Sequence, residues 1–523
     1  MVTMHTATFL PDDVDALKAL VADLGAEMQA LRSERDALKQ ASRDDKHEID
    51  RLTLLLLKLR RMMFGQKSEK LTRQIDQLQL ELEELHINQG EREPAAVESA
   101  VPASRPAPQR RPLPEHLPRE IQQHMPKDAA CPDCGGAWKS LGEDVSEILE
   151  FVPASFKVVR HVRPRLACTC CDRMAQAPAP SRAVARSYAG AGLLAHVFVS
   201  KYGDHLPLYR QCRIYEREGV ELSENTLADW VGAGHQLLRP LIDALHRHVF
   251  AARKLHTDDT PVPVLVPGKG KTQQGRLWTY VRDDRPHGGT AAPAAWFRYS
   301  PDRKGIHPQM HLKDFSGVLQ ADAFAGYDQI YASGRVQEAA CWAHARRKIY
   351  DIHVSRPTPL TTHFLQQVAL LYEIEAEVRG KPPDVRRTTR LLKAKPIVLA
   401  LHAWLVEQLP TLSRKSTTTD AIRYALNQWQ ALTRYLDDGD IEIDNNAAER
   451  ALRGIGVGRK NYLFMGSDRG GERAATMYSL LETAKLNGIN PEAYLRHVLS
   501  VIADYPVNQV ADLLPWNLSL ALS

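Results

Sequence analysis

Four cysteines have the spacing that a structural metal site requires. Cys131 and Cys134 form one C-x-x-C motif, and Cys168 and Cys171 form a second. Four thiolates at this spacing are typical of a tetrahedral zinc site, and clustered cysteines suit a metal site better than a disulfide framework. Cys170 could replace Cys171 as the fourth ligand. Buried reduced thiols are the alternative to zinc.

Three acids, Asp258, Asp322 and Glu449, could hold a second kind of metal. Carboxylate oxygens suit hard cations such as Mg²⁺ or Mn²⁺, and two such ions about 4 Å apart can stabilise the attacking and leaving oxygens of a phosphodiester. Asp259 competes with Asp258 for the first position, because adjacent strand residues point to opposite faces of a sheet. For both of these aspartates, a solvated turn is the alternative.

The order of elements around these acids predicts a ribonuclease H-like core. Three short strands rich in β-branched and aromatic residues follow Arg253, then a helical stretch, a strand that ends near Asp322, a helix, and the strand "EAACWAHARRK". This order places Asp258 on the first strand and Asp322 at the end of the neighbouring fourth strand. A helix that begins near Asn445 would carry Glu449.

Basic residues follow the third acid in "IDNNAAERALRGIGVGRK". On a helix, Asn446, Glu449, Arg450 and Arg453 would share a face, so that the acid points into the site while the arginines reach the phosphates of a polyanion. We interpret "GIGVG" as a bend that brings Arg459 and Lys460 to the DNA, because a dinucleotide fingerprint would follow a strand. A capped surface helix with a solvated charged face is the alternative.

The N-terminal part predicts a coiled coil. Apolar residues between Leu17 and Leu59 recur at alternating spacings of three and four, although Arg35, Ser42 and Asp45 weaken this seam. A self-associating zipper is favoured over an intramolecular helical hairpin.

A pair of helices is predicted in "LYRQCRIYEREGVELSENTLADWVGAG", with a turn at Gly219 and a second helix capped by Ser223. The pair resembles a helix-turn-helix. An ordinary helical pair that supports the next domain is equally favoured, because the second helix carries few cations for phosphate contact.

The sequence as a whole predicts a multidomain α+β protein. Its net charge of +5 over 523 residues does not by itself prove nucleic-acid binding. No apolar run approaches the roughly 20 residues of a membrane span, and the N-terminus lacks the basic start of a signal peptide, so we expect a cytoplasmic protein without a membrane partner. The predicted domains are a coiled-coil region at 12–90, a proline-rich linker at 91–120, a zinc-binding domain at 121–180, a helical region at 181–250, a catalytic core at 251–470 with an all-α insertion at about 353–438, and a C-terminal helical domain at 471–523.

The chain contains several longer motifs, namely "DDTPVPVL", "VLQADAFAGYDQIY", "CWAHARRK", "DNNAAERALRGIGVGRKNYLFMGS", "YSLLETAKLNGINPEAYLRHVL" and "LLPW". By these motifs it resembles the DDE transposases of bacterial insertion sequence sixty-six, the TnpC type, and the resemblance begins at "RRMMFGQKSEKL". It implies that Asp258, Asp322 and Glu449 are the catalytic, magnesium-binding acids and that the cysteine module is the family's zinc-binding domain. It also implies a role near DNA for His344, Arg346, Arg347 and Lys348. The family usually has Asp-Glu-Thr where this chain has Asp-Asp-Thr at 258–260, which keeps the acidic character.

The function expected from this resemblance is DNA transposition. The protein would bind the ends of an insertion sequence and catalyse metal-dependent strand cleavage and strand transfer. Its partners would be double-stranded DNA of the terminal inverted repeats and the target, further copies of the chain through the coiled coil, and the element's small accessory proteins, and it would associate with the nucleoid when bound to DNA. A zinc-containing DNA-binding regulator with an inactive ribonuclease H-like domain and a structure-specific nuclease are the alternatives.

Overall fold

A computed structural model describes most of the chain from residue 112 to residue 519. Within that range residues 127–129, 153–154, 172, 186, 267–270 and 462–463 are not described, and of the preceding part only 28–33, 35–37, 40, 44–56, 78 and 85 are. The strands are β1 (Arg119–Gln123), β2 (Trp138–Val152), β3 (Ser155–Cys168), β4 (Met174–Gln176), β5 (Lys254–Val266), β6 (Lys271–Arg282), β7 (Ala294–Ser300), β8 (Gly317–Gln320) and β9 (Val336–Ala339). The α-helices are α1 (Ala191–Tyr202), α2 (Leu208–Arg217), α3 (Glu224–Phe250), α4 (Ile306–His311), α5 (Asp328–Ala332), α6 (Trp342–Ser355), α7 (Pro359–Val378), α8 (Pro383–Thr389), α9 (Lys395–Gln408), α10 (Thr417–Asn427), α11 (Trp429–Thr433), α12 (Asn446–Asn461), α13 (Asp468–Leu486) and α14 (Pro491–Val501).

The predicted coiled coil and most of the predicted linker lie largely outside the described residues. Residues 44–56 are helical, and Leu52 and Leu56 pack against Leu78 of the same chain. This contact is the kind that the helical-hairpin alternative expects. Met28 and Leu31, also on the predicted seam, are 53% and 57% exposed, so the zipper remains a prediction for that part.

A long antiparallel hairpin connects the two C-x-x-C motifs. Strands β2 and β3 pair from Trp138 opposite Cys168 to Val152 opposite Ser155, and β1 lies parallel to β3 on its other side. Paired strands therefore fill most of the sequence between the two cysteine pairs. The end of this hairpin away from the cysteines packs into the main core, where the rings of Phe156 and Tyr215 meet edge to face.

The predicted helical pair is present as α2 and α3. Gly219 adopts a φ of +81°, a conformation that glycine permits, and the Ser223 side chain accepts a hydrogen bond from the Thr226 backbone N–H, as expected of an N-cap. The turn and the cap are confirmed, and DNA binding by this pair remains a prediction.

A mixed five-stranded sheet is the centre of the chain, with the strand order β7-β6-β5-β8-β9. β5, β6 and β7 are antiparallel, and β8 and β9 run parallel to β5. One predicted element was wrong, because "EAACWAHARRK" is not a single strand: β9 ends at Ala339 and α6 begins at Trp342. Trp342, Ala345 and Ile349 recur at helical spacing and are buried on one face, which explains the change.

The segment predicted as an all-α insertion is helical, with α7 to α11 between the sheet and α12. Its apolar side chains form a second core together with Val318, Ala339 and Trp342, so the insertion packs directly on β8, β9 and α6. Arg390 binds Glu375 at 2.6 Å within the insertion, and Arg386 binds Glu442 at 3.0 Å, which connects the insertion to the segment before α12.

The glycine-rich stretch after Glu449 does not bend the backbone. Helix α12 continues through all three glycines to Asn461, so that prediction was wrong. A Cβ atom at Gly458 would lie 2.6 Å from the His205 ring, which means that glycine here allows α12 to approach His205 closely.

The C-terminal helices cover the open edge of the central sheet. The backbone N–H groups of Phe297 and Ala295 on β7 donate to the hydroxyls of Ser479 and Thr483 on α13, at 2.8 and 3.1 Å. These side chains satisfy backbone groups that an edge strand would otherwise leave unpaired. Apolar residues of α13 and α14 belong to the same large core as the sheet and α3. None of the described helices combines the length and the apolar character that crossing a bilayer requires.

Candidate catalytic and metal-binding sites

The three predicted acids approach one another at one end of the sheet. Asp258 lies on β5, Asp322 follows β8 by two residues, and Glu449 lies in the first turn of α12. The pKa of Asp258 is raised to about 7, chiefly by burial, and the neighbouring charges of Asp322 and Glu449 also raise it. The fold thus gathers acids that are up to 191 positions apart in the sequence (449 minus 258).

Asp258 and Asp259 have opposite environments, as expected of adjacent strand residues. The Asp259 side chain is 2% exposed and is bound by Arg276 at 3.0 Å and Arg303 at 2.8 Å. Asp258 accepts a hydrogen bond from the Asp259 backbone N–H at 2.8 Å and lies near the other acids. This arrangement favours Asp258 over Asp259 as the metal-binding member of the pair.

Arg303, which the sequence did not single out, bridges the site. Its guanidinium lies 2.8 Å from Asp259 and 3.4 Å from Asp322, and it stacks 4.2 Å from the centre of the Phe324 ring. These contacts hold the Asp322 side chain beside β5. Its position in the loop "PDRKG" follows no motif or period, so only the tertiary contact reveals it.

Asn445 fixes the start of the helix that carries Glu449. Its side chain is fully buried, donates to the Thr257 carbonyl at 2.8 Å and contacts His256 Nδ1 at 3.1 Å. Its backbone N–H donates to the Cys341 sulfur at 3.2 Å. Asn445 therefore ties α12 to β5 immediately before Asp258 and also to the start of α6.

The two other acids near this helix have other partners. Glu442 binds Arg386 at 3.0 Å and lies 3.8 Å from Lys254, while its backbone pairs with the Gln320 side chain at the end of β8. Asp444 accepts hydrogen bonds from the backbone and side-chain nitrogens of Asn446, at 3.1 and 2.7 Å. These contacts explain why Glu449 is the acid of this segment that is available to the site.

Exposed cations lie on α6 and α12, the two helices that begin near Glu449. Arg346 and Arg347 are exposed on α6, and Arg450 and Arg453 are exposed on α12. The starts of the two helices meet where His344 Nε2 lies 3.7 Å from Glu449 Oε1. Arg459 and Lys460 belong to the last part of α12, and their side chains are outside the described residues.

The four predicted zinc ligands form a compact cluster. Sulfur atoms of Cys131, Cys134, Cys168 and Cys171 all lie within 4.8 Å of one another. Cys170 is exposed and lies outside this group, and its backbone N–H is the main cause that lowers the pKa of Cys168, to about 6. Preformed thiol clusters of this kind fit a tetrahedral structural zinc.

Glycine is required beside this cluster. A Cβ atom at Gly136 would lie 2.7 Å from the Cys170 sulfur and 2.9 Å from the Cys168 sulfur, closer than real contacts allow. The "CGG" sequence therefore lets the backbone pass close to the sulfur atoms.

Comparison with known proteins shows the family to which the chain belongs. A family model described as "Transposase IS66 family" matches residues 186–473, more than half of the chain. The chain belongs to this transposase family. Three further models match other parts of the chain: "zinc-finger binding domain of transposase IS66" at 128–172, "Transposase C of IS166 homeodomain" at 51–121 and "IS66 C-terminal element" at 479–516.

Relatives of similar length occur in Sinorhizobium fredii (strain NBRC 101917 / NGR234). The uncharacterized protein y4hP is 41% identical over 489 residues, which cover 89% of this chain and 88% of the relative. The uncharacterized protein y4qI is 38% identical over 530 residues, which cover 97% of each chain. Membership of this IS66 family indicates a DNA-binding transposase with a zinc-finger domain.

Proposed function

We propose that this IS66 transposase is a DDE enzyme with a ribonuclease H-like core, in which Asp258, Asp322 and Glu449 hold divalent metal ions. The observation that carries the proposal is the approach of these three acids, which lie on β5, after β8 and on α12. The order of strands and helices from β5 to β9 supports the fold assignment.

The donor set fits magnesium or manganese. All three groups are carboxylates, the ligands that hard cations prefer. Burial chiefly, and then the neighbouring charges of Asp322 and Glu449, raise the pKa of Asp258, so a bound cation would relieve the repulsion among these acids. Bound ions would stabilise the charge on the attacking and leaving oxygens of a phosphodiester.

The chain's own residues would position the reaction. Asn445 orients the helix that bears Glu449, and Arg303 orients Asp322. The exposed arginines Arg346, Arg347 and Arg453 would bind phosphates on either side of the acids, a contact that positions DNA without reading its sequence.

The zinc cluster, the N-terminal helices and the DNA substrate complete the proposed function. Zinc held by the four-cysteine cluster would stabilise the β2–β3 hairpin. Association of two or more chains through the N-terminal helices would pair the two ends of the element, and its small accessory proteins would join that complex. The substrate would be double-stranded DNA of the terminal repeats and of the target, and the protein would act on the nucleoid in the bacterial cytoplasm.

Glu449→Gln tests the proposal directly. The substitution removes a charged ligand but leaves the surrounding arginines, so cleavage of element ends in magnesium should fall by about a hundredfold or more while binding to those ends stays within about twofold. Arg453→Ala should weaken binding and lower the slope of log K against log salt concentration by about one unit, because it would lose one phosphate contact.

Asp444→Asn is the matched control, because Asp444 lies close in sequence but bonds Asn446. It should continue to cut. A Glu449→Gln protein that cuts at the normal rate would overturn the assignment, and a wild-type protein that binds element ends but never cuts would indicate a regulator. Inverted repeats on both sides of the gene would supply the DNA for these assays.

A further inference from the structure

A second group of metal ligands of mixed chemistry adjoins the carboxylate site. One ligand atom each from Cys341, His344 and Glu449 lies within 4.8 Å of the other two. Cys341 immediately precedes α6 and His344 lies in its first turn, while Glu449 lies in the first turn of α12. The group therefore lies where the starts of α6 and α12 meet, and Asn445 holds these two helix starts together.

The chemistry of this donor set differs from that of the three acids. A thiolate, an imidazole and a carboxylate together suit zinc and similar borderline cations, whereas magnesium prefers oxygen ligands alone. Three protein ligands with a free fourth position are also a common zinc arrangement in proteins. The pair of Cys341 and His344, spaced C-x-x-H in one helical turn, can reach the same ion from one element.

Two further observations point to a ligand here. The Cys341 side chain is 1% exposed, and its sulfur accepts the Asn445 backbone N–H at 3.2 Å, the kind of support that orients metal-bound thiolates. Within the described part of the chain, the buried Nδ1 atom of His344 has no hydrogen-bond partner. Leaving a buried ring nitrogen unpaired costs free energy, and a cation bound through Nδ1 would remove that cost, while the other ring nitrogen, Nε2, lies 3.7 Å from Glu449.

We propose that Cys341, His344 and Glu449 form a second metal site, which takes zinc or a similar borderline divalent cation and thereby withdraws Glu449 from the catalytic magnesium site. Binding would form a metal–sulfur bond and release the Cys341 thiol proton to solvent. The competition rests on the proposed catalytic role of Glu449, but the binding of the cation does not. Zinc would then inhibit DNA cleavage.

Cobalt(II) titration of the full chain, with the four-cysteine cluster already filled by zinc, tests the binding. Wild-type protein should take up about one further cobalt ion with a thiolate-to-cobalt absorption band, and Cys341→Ser should lose that band. Cys212→Ser, on α2 outside both clusters, is the matched control and should keep it.

A second variant tests the same site in case substitution of the buried Cys341 prevents folding. His344 is 31% exposed, so His344→Gln should fold, and it should weaken cobalt binding by at least about tenfold. Wild-type protein without the added band, or a band that survives in both variants, would overturn the site.

Cleavage of element ends in magnesium, with and without micromolar zinc, tests the inhibition by zinc. Added zinc should slow cleavage by wild-type protein strongly. It should leave the cleavage rate of His344→Gln nearly unchanged. Cobalt binding together with zinc-insensitive cleavage would overturn the proposed inhibition by zinc. Cobalt binding without any cleavage by wild-type protein would instead count against the proposed function and leave the site standing.

Discussion

At the scale of single residues, neighbouring aspartates on β5 have opposite energetic roles. Asp259 is neutralised by Arg276 and Arg303, whereas Asp258 is buried beside two other acids. Such concentration of like charge destabilises a fold and is typical of sites that bind cations. The two positions therefore offer a matched pair of substitutions.

Asp258→Asn should stabilise the protein at alkaline pH when no magnesium is added. The folded-state pKa of Asp258 is raised from an ordinary value of 3.8 to about 7, so the folded chain binds this proton more tightly and stability falls as pH rises between these values. At pH 8 the free energy of unfolding should increase by roughly 1–3 kcal/mol, and the gain should shrink towards zero near pH 4. Chemical denaturation at a series of pH values measures this.

Asp259→Asn should have the opposite effect. It removes the charge that pairs with Arg276 and Arg303, so the free energy of unfolding should fall by about 2–4 kcal/mol. Equal shifts of the same sign in the two variants would contradict the assignment of their environments.

At the scale of elements, the start of α12 is held by contacts from three directions. Asn445 reaches β5 through Thr257 and reaches the start of α6 through Cys341. Gln320 at the end of β8 pairs with the backbone of Glu442. The position of α12 therefore depends on side-chain hydrogen bonds to β5, α6 and β8, and Gly458 allows the helix to pack closely on His205.

Asn445→Ala should lower both stability and cleavage. The substitution leaves buried groups of His256 and Thr257 without a partner, which should reduce the free energy of unfolding by about 2–3 kcal/mol. Cleavage should fall more than DNA binding, because the exposed arginines remain. Asn446→Ala, which removes one bond from a partly exposed residue, is the control and should cost about 1 kcal/mol or less. Similar losses in the two variants, measured by denaturation and by cleavage, would contradict this role.

At the scale of the whole molecule, the zinc-finger hairpin has two differently stabilised ends. One end packs against the helices, where the ring of Phe151 stacks 3.7 Å from His196. The other end carries the four sulfur atoms, of which Cys134 and Cys171 are exposed. Metal binding should therefore stabilise the cysteine end locally, while the large core stabilises the rest.

Cys134→Ser should release the zinc and loosen only that end. Metal analysis should find about one zinc fewer per chain, and limited proteolysis should cut near residues 131–138 and 168–173 while the central sheet stays resistant. Cys170→Ser is the matched control, since Cys170 is exposed but lies outside the cluster, and it should retain the metal. Zinc loss in the control alone would make Cys170 the ligand.

Features that depend on local spacing could be predicted from the sequence. The paired C-x-x-C motifs, the helical pair with its Ser223 cap, the helical insertion and the order of strands around Asp258 follow from periodicity and turn residues within short windows. The longer motifs also indicated the transposase family, which the comparisons confirm.

Features that depend on contacts between distant residues could not be predicted from the sequence and are visible in the folded chain. Sequence alternation showed that Asp258 and Asp259 face opposite ways, but Arg276 and Arg303 decide which of them is neutralised. The glycines after Glu449 suggested a bend, yet α12 is continuous and Gly458 lies close to the His205 ring. Asn445 and Arg303 act through partners that no local pattern connects to them, because side-chain hydrogen bonds and ion pairs depend on distance in space and leave no period in the chain.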